Sequence, residues 1–317
     1  MRLLVTGGLG VIGSWVVRGL LADGHEPVTL DASEDMSLVA DISGDFEHHL
    51  GSVLDVEAVT SLLGGVDQIV HLAALIPAEA DPYAGYSVNA LGPVAIFEAA
   101  RRAGVRRVVW ASAKAVYGEL SGVYGYPTYE PIPESHPRQT MPRAPVYSSS
   151  KLLAEEAARV YANTFGLECI ALRFATIFGP GKLLRHGGTG LVGVIVEHAI
   201  AGEPTRVPQG GDERDELIYV RDVARGVIAS CSAQSPTSPV YNVGSGHLVT
   251  LAEFAEAVGN AVAPVDFTIG PGRDPFGIGL MYGRLDSMLA HADLGYTPAW
   301  DLESALRDYA EIVSVRG

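Results

Sequence analysis

Residues 2–13, RLLVTGGLGVIG, join a short apolar run, a glycine-rich turn and the start of an amphipathic segment. The run Arg2–Thr6 is typical of a strand buried on both faces of a parallel sheet, and Val11–Ala22 has helical periodicity. The glycines allow a tight turn, close approach of a ligand to the backbone, and packing of the helix on the strand. The unpaired N–H groups at the helix start attract phosphate. We therefore expect a phosphate-binding turn formed by Gly7, Gly10, Val11, Ile12 and Gly13.

The alternation of apolar runs and helical segments continues through the first half of the chain. Further strands are predicted at Pro27–Leu30, Leu50–Val53, Gln68–Leu72, Arg107–Ala111 and Glu168–Arg173, and further helices at Glu57–Leu63, Val88–Ala103 and Ser148–Phe165. Such alternation predicts right-handed βαβ units and an α/β fold with a doubly wound parallel sheet. Beyond Arg173 the elements become shorter and less regular. We expect residues 1–178 to form the dinucleotide-binding (Rossmann) domain, joined by some later segments, and residues 179–317 to form mainly a smaller α/β substrate lobe.

Asp31 ends the second predicted strand, 18 residues beyond Gly13. A carboxylate at this position accepts hydrogen bonds from both adenosine ribose hydroxyls and repels a 2′-phosphate. The sequence therefore predicts NAD rather than NADP as the cofactor. The alternative, that Asp31 only caps a helix, does not account for the spacing.

Composition limits the partners. The 317 residues include 22 Lys and Arg against 37 Asp and Glu, which gives a net charge of −15. A chain this acidic has no bulk attraction for nucleic acid or an anionic membrane surface. The two cysteines, Cys169 and Cys231, have neither disulfide nor metal-ligand spacing, and no metal is expected. No signal segment or membrane span is apparent, so a cytoplasmic protein is expected.

Tyr147 and Lys151 lie four residues apart in the segment YSSSK, on one face of a predicted helix. A phenol titrates near pH 10 and needs a nearby cation to act as a base at neutral pH. The Lys151 ammonium and an oxidised nicotinamide both supply positive charge. The pair is therefore the candidate acid/base. On its own such spacing is common in exposed helices, and the glycine turn upstream favours the catalytic interpretation.

Several segments together resemble the extended short-chain dehydrogenase/reductases, and among them the NAD-dependent epimerase/dehydratase family. The resemblance rests on TGGLGVIG (6–13), Asp31, HLAA (71–74), VNALGP (88–93), ASAKAVYG (111–118), YSSSK (147–151), RFATIFGPG (173–181), the stretch 210–224, YNVGSG (241–246) and LGYTP (294–298). These motifs occur in the family order over nearly the whole chain. The resemblance implies that Tyr147 exchanges the substrate hydroxyl proton while Lys151 holds the nicotinamide ribose. It further implies cofactor contacts from Ser52, Val53, Leu72, Ala73, Ala74 and Asn89.

Three departures from the family pattern concern the substrate side. The Ser or Thr of the family is Ala113 here, so Ser112, Ser148, Ser149 or a water molecule would have to replace its hydroxyl, unless activity is reduced. The Asp-Glu pair of the 4,6-dehydratases is Lys114-Ala115, which disfavours dehydration. The substrate-contacting Asn is Thr176, which argues against recognition of a UDP-sugar.

Arginines complete the predicted substrate site. Arg214 and Arg273 lie where guanidinium groups suit phosphate or carboxylate oxygens. The alternative is that Arg214 only pairs with Asp212 or Asp215. Further candidate residues at the pocket border are Lys182, Arg185 and His186.

The leading hypothesis is an NAD-dependent epimerase or dehydrogenase that oxidises a sugar or nucleotide-sugar hydroxyl through a keto intermediate. The alternatives are a dehydrogenase of a non-nucleotide sugar or hydroxy acid, which Thr176 favours, and a catalytically weak NAD-binding sensor, which Ala113 favours. The segments Val88–Ala103 and Ser148–Phe165 resemble the dimer-forming helices of the family, so a homodimer is expected.

Overall fold

The computed structural model describes residues 1–142, 144–182, 190–273 and 283–316. Within these ranges the strands are β1 (Arg2–Thr6), β2 (Glu26–Asp31), β3 (Glu47–Leu50), β4 (Gln68–His71), β5 (Arg107–Ala113), β6 (Glu168–Phe174), β7 (Thr176–Phe178), β8 (Thr205–Val207), β9 (Arg214–Tyr219), β10 (Val240–Val243), β11 (Leu248–Thr250) and β12 (Phe267–Ile269). The α-helices are α1 (Val11–Ala22), α2 (Val56–Ser61), α3 (Pro82–Tyr86), α4 (Gly92–Ala103), α5 (Pro145–Phe165), α6 (Leu191–Ala201), α7 (Val220–Ser232), α8 (Leu251–Ala261), α9 (Met288–Leu294) and α10 (Leu302–Arg316).

The central sheet has seven strands in the order β10-β6-β5-β4-β1-β2-β3. Every neighbouring pair is parallel. The chain builds outward from β1 to β3 and then crosses back to β4, so the direction of winding reverses between β1 and β4. The carboxyl ends of the strands open a crevice at such a reversal, where ligands bind in doubly wound folds. The predicted α/β class and parallel sheet are confirmed.

Helices cover both faces of this sheet. Helices α1 and α7 pack together on one face, whereas α2, α4 and α5 form the layer on the other. Because successive side chains of a strand point to opposite faces, Leu3 and Val5 of β1 enter the first layer and Leu4 enters the second. All three are fully buried. Burial of each aliphatic side chain contributes about 1.5–3 kcal/mol, which explains the continuous apolar runs in the sequence.

The second half of the chain forms smaller sheets beside the carboxyl edge of the central sheet. Strand β9 pairs with β7 in parallel and with β11 in antiparallel orientation, and β8 pairs with β12. Helices α6, α8 and α10 pack around the buried Phe254 and Tyr309. Strand β10 is instead part of the central sheet, and helix α7 packs against that sheet.

Most of the predicted elements are present with ends shifted by one to four residues, and the third strand and helix α5 show the physical reasons. The third strand is Glu47–Leu50 rather than Leu50–Val53. It lies at the sheet edge, where His48 contacts the Thr29 hydroxyl at 2.8 Å, and a half-exposed edge strand does not need an apolar run. Helix α5 begins at Pro145 rather than three residues later. Proline suits the first helical position because its fixed φ is already helical and its missing N–H costs nothing there.

Candidate functional site

The glycine turn after β1 is held by backbone contacts that leave no room for side chains. Gly7 has φ +73°, its N–H donates to the Leu30 carbonyl at 3.0 Å, and its own carbonyl accepts from Gly10 N–H at 3.0 Å. A Cβ atom on Gly13 would lie 2.0 Å from the Gly7 carbonyl oxygen. Because the turn and helix α1 are in backbone contact, the start of the helix faces the crevice without a covering side chain. This backbone shape fits a pyrophosphate at the helix start.

A cavity of about 690 Å³ runs from this turn to the start of α5 and to β7. It brings together most of the residues predicted from the sequence. Those on its wall are Gly7, Gly10, Val11, Ile12, Gly13, Asp31, Ser52, Val53, Leu72, Ala73, Ala74, Ser112, Ala113, Lys114, Tyr147, Lys151, Thr176 and Lys182. The predicted residues Asn89, Arg214 and Arg273 are not among the described residues that line it.

Asp31 lies at the end of β2, beside the glycine turn. Its two carboxylate oxygens accept the Leu9 N–H at 3.2 and 3.3 Å. This contact fixes the carboxylate at the edge of the cavity. The position is the one that a ribose-binding carboxylate requires in this fold, so the residues present fit a dinucleotide with a free 2′-hydroxyl.

Asn89 is fully buried and its side chain is committed to the backbone. Its amide oxygen accepts the Leu75 N–H at 2.7 Å, and its amide nitrogen donates to the Leu75 carbonyl at 2.9 Å. Leu75 itself lines the cavity. Asn89 therefore shapes the wall by fixing the segment after β4, a role that the sequence did not indicate.

Tyr147 and Lys151 lie together on the first turns of α5. The Lys151 ammonium is 5.6 Å from the centre of the Tyr147 ring and donates to the Ala111 carbonyl at 2.8 Å. Burial, with a smaller contribution from the Glu79 carboxylate, raises the pKa of the Tyr147 phenol to about 12. Burial lowers the pKa of Lys151 to about 8, although the Glu155 carboxylate acts in the opposite direction. Without a further cation the phenol is protonated at neutral pH.

Glu79 is a wall residue that the sequence did not reveal. It belongs to a short 3-10 turn (Ala78–Ala80), and its carboxylate accepts the Tyr147 N–H at 3.0 Å. The first N–H groups of a helix lack partners within the helix, and the residue before α5, Ala144, has no side-chain oxygen to supply one. Glu79 caps α5 from 68 residues away, and no local sequence pattern signals such a contact.

The serine hydroxyls that could replace the hydroxyl missing at position 113 are all hydrogen-bonded to other groups of the protein. Ser112 donates to Glu155 at 2.7 Å, and Glu155 forms a buried ion pair with Arg173 at 2.7 Å. Ser148 donates to the Ala144 carbonyl at 2.8 Å, and Ser149 contacts the Tyr86 hydroxyl at 3.0 Å. The Ser112 hydroxyl is therefore hydrogen-bonded to the buried Glu155–Arg173 ion pair. Its catalytic role stays a prediction.

Lys114, Thr176 and Asp215 form a second polar cluster, at the opposite end of the cavity from Asp31. The Lys114 ammonium and the Thr176 hydroxyl donate to different oxygens of the Asp215 carboxylate. Lys182 lies close by on the cavity wall and donates to the Ile177 carbonyl. Arg214, which the sequence offered as a possible partner of Asp215, is not in this cluster.

The two predicted substrate arginines are exposed and are not among the described residues that line the cavity. Arg214 is about half exposed and its guanidinium is 3.7 Å from Glu253, so neither Asp212 nor Asp215 is its partner. Arg273 stacks over the Tyr126 ring at 4.1 Å. The other border candidates, Arg185 and His186, lie outside the described residues.

Metal sites and membrane spans are both missing from the described ranges. No group of three or more His, Cys, Asp or Glu side chains there is arranged to hold a metal ion. None of the helices in these ranges has the length and apolar character needed to cross a bilayer. Cys169 and Cys231 are buried free thiols.

Comparison with known proteins gives a consistent picture. The sequence model of the NAD dependent epimerase/dehydratase family matches residues 3–244. The UDP-glucose 4-epimerase of Mycolicibacterium smegmatis is 34% identical over 94% of both chains. The NAD complex of the UDP-glucose 4-epimerase of Thermus thermophilus superposes with a TM-score of 0.81 at 29% identity, covering 98% of both chains. The dTDP-glucose 4,6-dehydratase DesIV of Streptomyces venezuelae, solved with NAD, has a TM-score of 0.83 at 26% identity over 99% of this chain and 97% of its own.

Proposed function

Because the chain belongs to the NAD-dependent epimerase/dehydratase family, we propose that it oxidises a hydroxyl of a sugar or nucleotide sugar to a ketone, as an epimerase or a dehydrogenase. NAD is the cofactor of this family, and the glycine turn and Asp31 fit it. The observation that carries the proposal is that Tyr147 and Lys151 lie on the wall of the same cavity as the glycine turn. One cavity therefore joins a dinucleotide cradle to an acid/base pair.

The chain's own residues account for the movement of the proton. Bound at the glycine turn and Asp31, NAD would supply the hydride acceptor for the oxidation and, in an epimerase, the hydride donor for the return step. Tyr147 accepts the hydroxyl proton as a phenolate and gives it back in the reverse direction. The Lys151 ammonium stabilises that phenolate from its own side of the cavity, since a nearby cation favours the charged form of a phenol.

The wall at positions 113–115 supports oxidation without elimination of water. The residues there are Ala113, Lys114 and Ala115, none of which is a carboxylic acid that would protonate a leaving hydroxyl. A 4,6-dehydratase activity is therefore not part of the proposal. The division into residues 1–178, joined by some later segments, and residues 179–317 stays a prediction; β10 and α7 are later segments that pack with the central sheet.

The test uses purified protein with NAD and either UDP-glucose or UDP-galactose. An epimerase gives the isomeric sugar nucleotide with no net NADH, whereas a dehydrogenase gives NADH in step with product. Tyr147→Phe is expected to lower turnover by about 100-fold or more while NAD still binds, because the phenol contributes only the proton transfer. Bound NAD with neither product for any sugar tested would refute the enzymatic proposal and leave the NAD-binding sensor.

A second candidate function, a dehydrogenase of a sugar without a nucleotide, rests on the position of Arg214. Arg214 faces Glu253 at 3.7 Å on the lobe surface rather than the cavity, so the described cavity wall offers no guanidinium to a diphosphate. Comparing free sugars and sugar acids with their UDP conjugates separates the two candidates. A kcat/KM that does not change when UDP is removed would favour the second.

The proposal includes a homodimer formed through α4 and α5. Leu153 and Val160 lie seven residues apart on one face of α5 and are about half exposed, as are Leu91 before α4 and Phe165 at the end of α5. An apolar side of two adjacent helices suits burial against a second copy. Light scattering of the wild type and of Leu153→Glu tests this, and a monomeric wild type would refute it.

A further inference from the structure

Every lysine in this chain lies on the wall of one cavity. The sequence holds 19 arginines but only three lysines, Lys114, Lys151 and Lys182. All three line the cavity, and none of the arginines does so among the described residues. Lysine presents a compact ammonium, whereas arginine presents a wide planar fork. The cavity is thus a local concentration of positive charge in a chain of net charge −15.

Lys151 belongs to the acid/base pair, but Lys114 and Lys182 have no part in that chemistry. Lys114 follows the last residue of β5, and its side chain is 8% exposed. Its ammonium and the Thr176 hydroxyl both donate to Asp215, which also accepts the Glu216 N–H at 2.9 Å. Asp215 is not a described wall residue, so it holds Lys114 and Thr176 in place from behind the surface that a substrate would meet.

Lys182 enters the same region from the turn after β7. Its ammonium donates to the Ile177 carbonyl and forms no ion pair with a described residue. Burial lowers the pKa of Lys182 to about 8, with Lys114 acting in the same direction and Asp215 against it. An ammonium has three N–H donors, and keeping it buried beside a neutral carbonyl is costly. An anionic ligand group would offset that cost.

Two described wall positions beside this cluster offer no available neutral hydroxyl to a sugar. Position 113 is alanine, and the Thr176 hydroxyl is occupied by Asp215. Among the described wall residues the acids are Asp31, beside the glycine turn, and Glu79, which accepts the Tyr147 N–H at 3.0 Å. Cationic donors therefore dominate the surface next to the reacting hydroxyl.

We propose that Lys114, held by Asp215, and Lys182, held by the Ile177 carbonyl, form a subsite for an anionic group of the substrate, namely a carboxylate on the sugar ring itself. This deepens the proposed function and rests on it. The position favours a ring substituent over the phosphates of a nucleotide, because Lys114 directly follows Ala113 and Ala113 belongs to the small apolar cluster that packs against Tyr147. A group bound by Lys114 thus lies beside the acid/base residue.

The scarcity of lysine makes a direct binding test practical. The full chain labelled with ¹³C at lysine Cε gives three resonances, which Lys182→Met and Lys114→Arg assign. With saturating NAD, UDP-glucuronate is expected to shift the Lys114 and Lys182 resonances, and UDP-glucose is expected to leave them in place. Equal shifts with both ligands would place a phosphate in the subsite and overturn the proposal.

Turnover provides the second readout. The ratio of kcat/KM for UDP-glucuronate to that for UDP-glucose is expected to exceed about 10 in the wild type, as a charge-assisted hydrogen bond allows. The ratio should fall toward one in Lys182→Met and be retained in Lys182→Arg. Arg225→Met, which removes a half-exposed cation on α7, is the matched control and should not change it. A wild-type ratio near one would overturn the carboxylate subsite.

The two readouts separate this inference from the proposed function. Carboxylate-dependent shifts of Lys114 and Lys182 without any turnover would support the subsite and refute the oxidation chemistry. Turnover of UDP-glucose in preference to UDP-glucuronate would support the chemistry and overturn the subsite.

Discussion

The Gly13→Ala substitution puts a methyl group where helix α1 passes over the turn after β1. The added Cβ would lie 2.0 Å from the Gly7 carbonyl oxygen and 2.6 Å from the Gly8 Cα. A carbon and a carbonyl oxygen rest at about 3.3 Å, so the helix and the turn must separate by about 1 Å. Both contacts are backbone atoms, so no side-chain rotation can relieve them.

This displacement affects stability and cofactor binding differently. Overpacking of this kind costs about 1–3 kcal/mol, and alanine regains up to about 1 kcal/mol over glycine inside a helix. We therefore expect the free energy of unfolding to fall by about 1–2 kcal/mol. The loss of one hydrogen bond to a charged phosphate costs about 1.5–3 kcal/mol. The Kd for NAD should rise by about 10-fold to 100-fold.

Titration calorimetry with NAD and urea unfolding measure the two effects on the same variant. Gly44→Ala is the matched control, because a Cβ there meets no atom within 4 Å and its backbone does not have positive φ. An unchanged NAD affinity in a folded Gly13→Ala protein would refute the reasoning, since it would mean that the turn is not the phosphate cradle.

Three further predictions concern charge. Asp31→Asn should lower the ratio of NAD to NADP affinity by about tenfold or more in calorimetry, because a hydrogen bond to a carboxylate contributes about 1.5–3 kcal/mol. Lys182 has a folded pKa of about 8 and an unfolded pKa of about 10.4, so the unfolded chain binds more protons between these values and stability rises with pH there. Lys182→Met should show a smaller rise than the wild type in urea unfolding measured across this interval, because Lys151 keeps its own contribution. Glu155→Gln should lower the free energy of unfolding by about 3–5 kcal/mol, because it leaves the buried Arg173 guanidinium without its carboxylate.

Each of these predictions has a contrary outcome. An unchanged cofactor preference in Asp31→Asn would show that the carboxylate does not reach the ribose. Parallel stability–pH curves for the wild type and Lys182→Met would show that the ammonium is not desolvated. Glu303→Gln, in the exposed pair with Arg307, should cost less than about 1 kcal/mol. An equal loss in Glu155→Gln would contradict the role assigned to the buried pair.

The local parts of the site could be predicted from the sequence because they depend on short spacings. The glycines at 7, 10 and 13 act between consecutive elements, and helix α1 has the predicted bounds Val11–Ala22. Tyr147 and Lys151 share a face because they are four residues apart on a helix. The edge strand Glu47–Leu50 was misplaced because none of its four residues is buried, so it needs no apolar run that the sequence could show.

The sequence by itself determined the parallel sheet, the place of the glycine turn between β1 and α1, and the common helix face of Tyr147 and Lys151. Each follows from a repeat of two or 3.6 residues, or from a turn that needs glycine. Only the tertiary structure decided which distant groups meet. Lys114 contacts Asp215, 101 residues away along the chain, and the Tyr147 N–H contacts Glu79, 68 residues away. The fold also places Lys182 on the wall of the same cavity. The lysine contacts depend on how β5, β7 and β9 come together, and the Glu79 contact depends on how α5 packs beside the turn Ala78–Ala80. Residues nearby along the chain do not encode either arrangement.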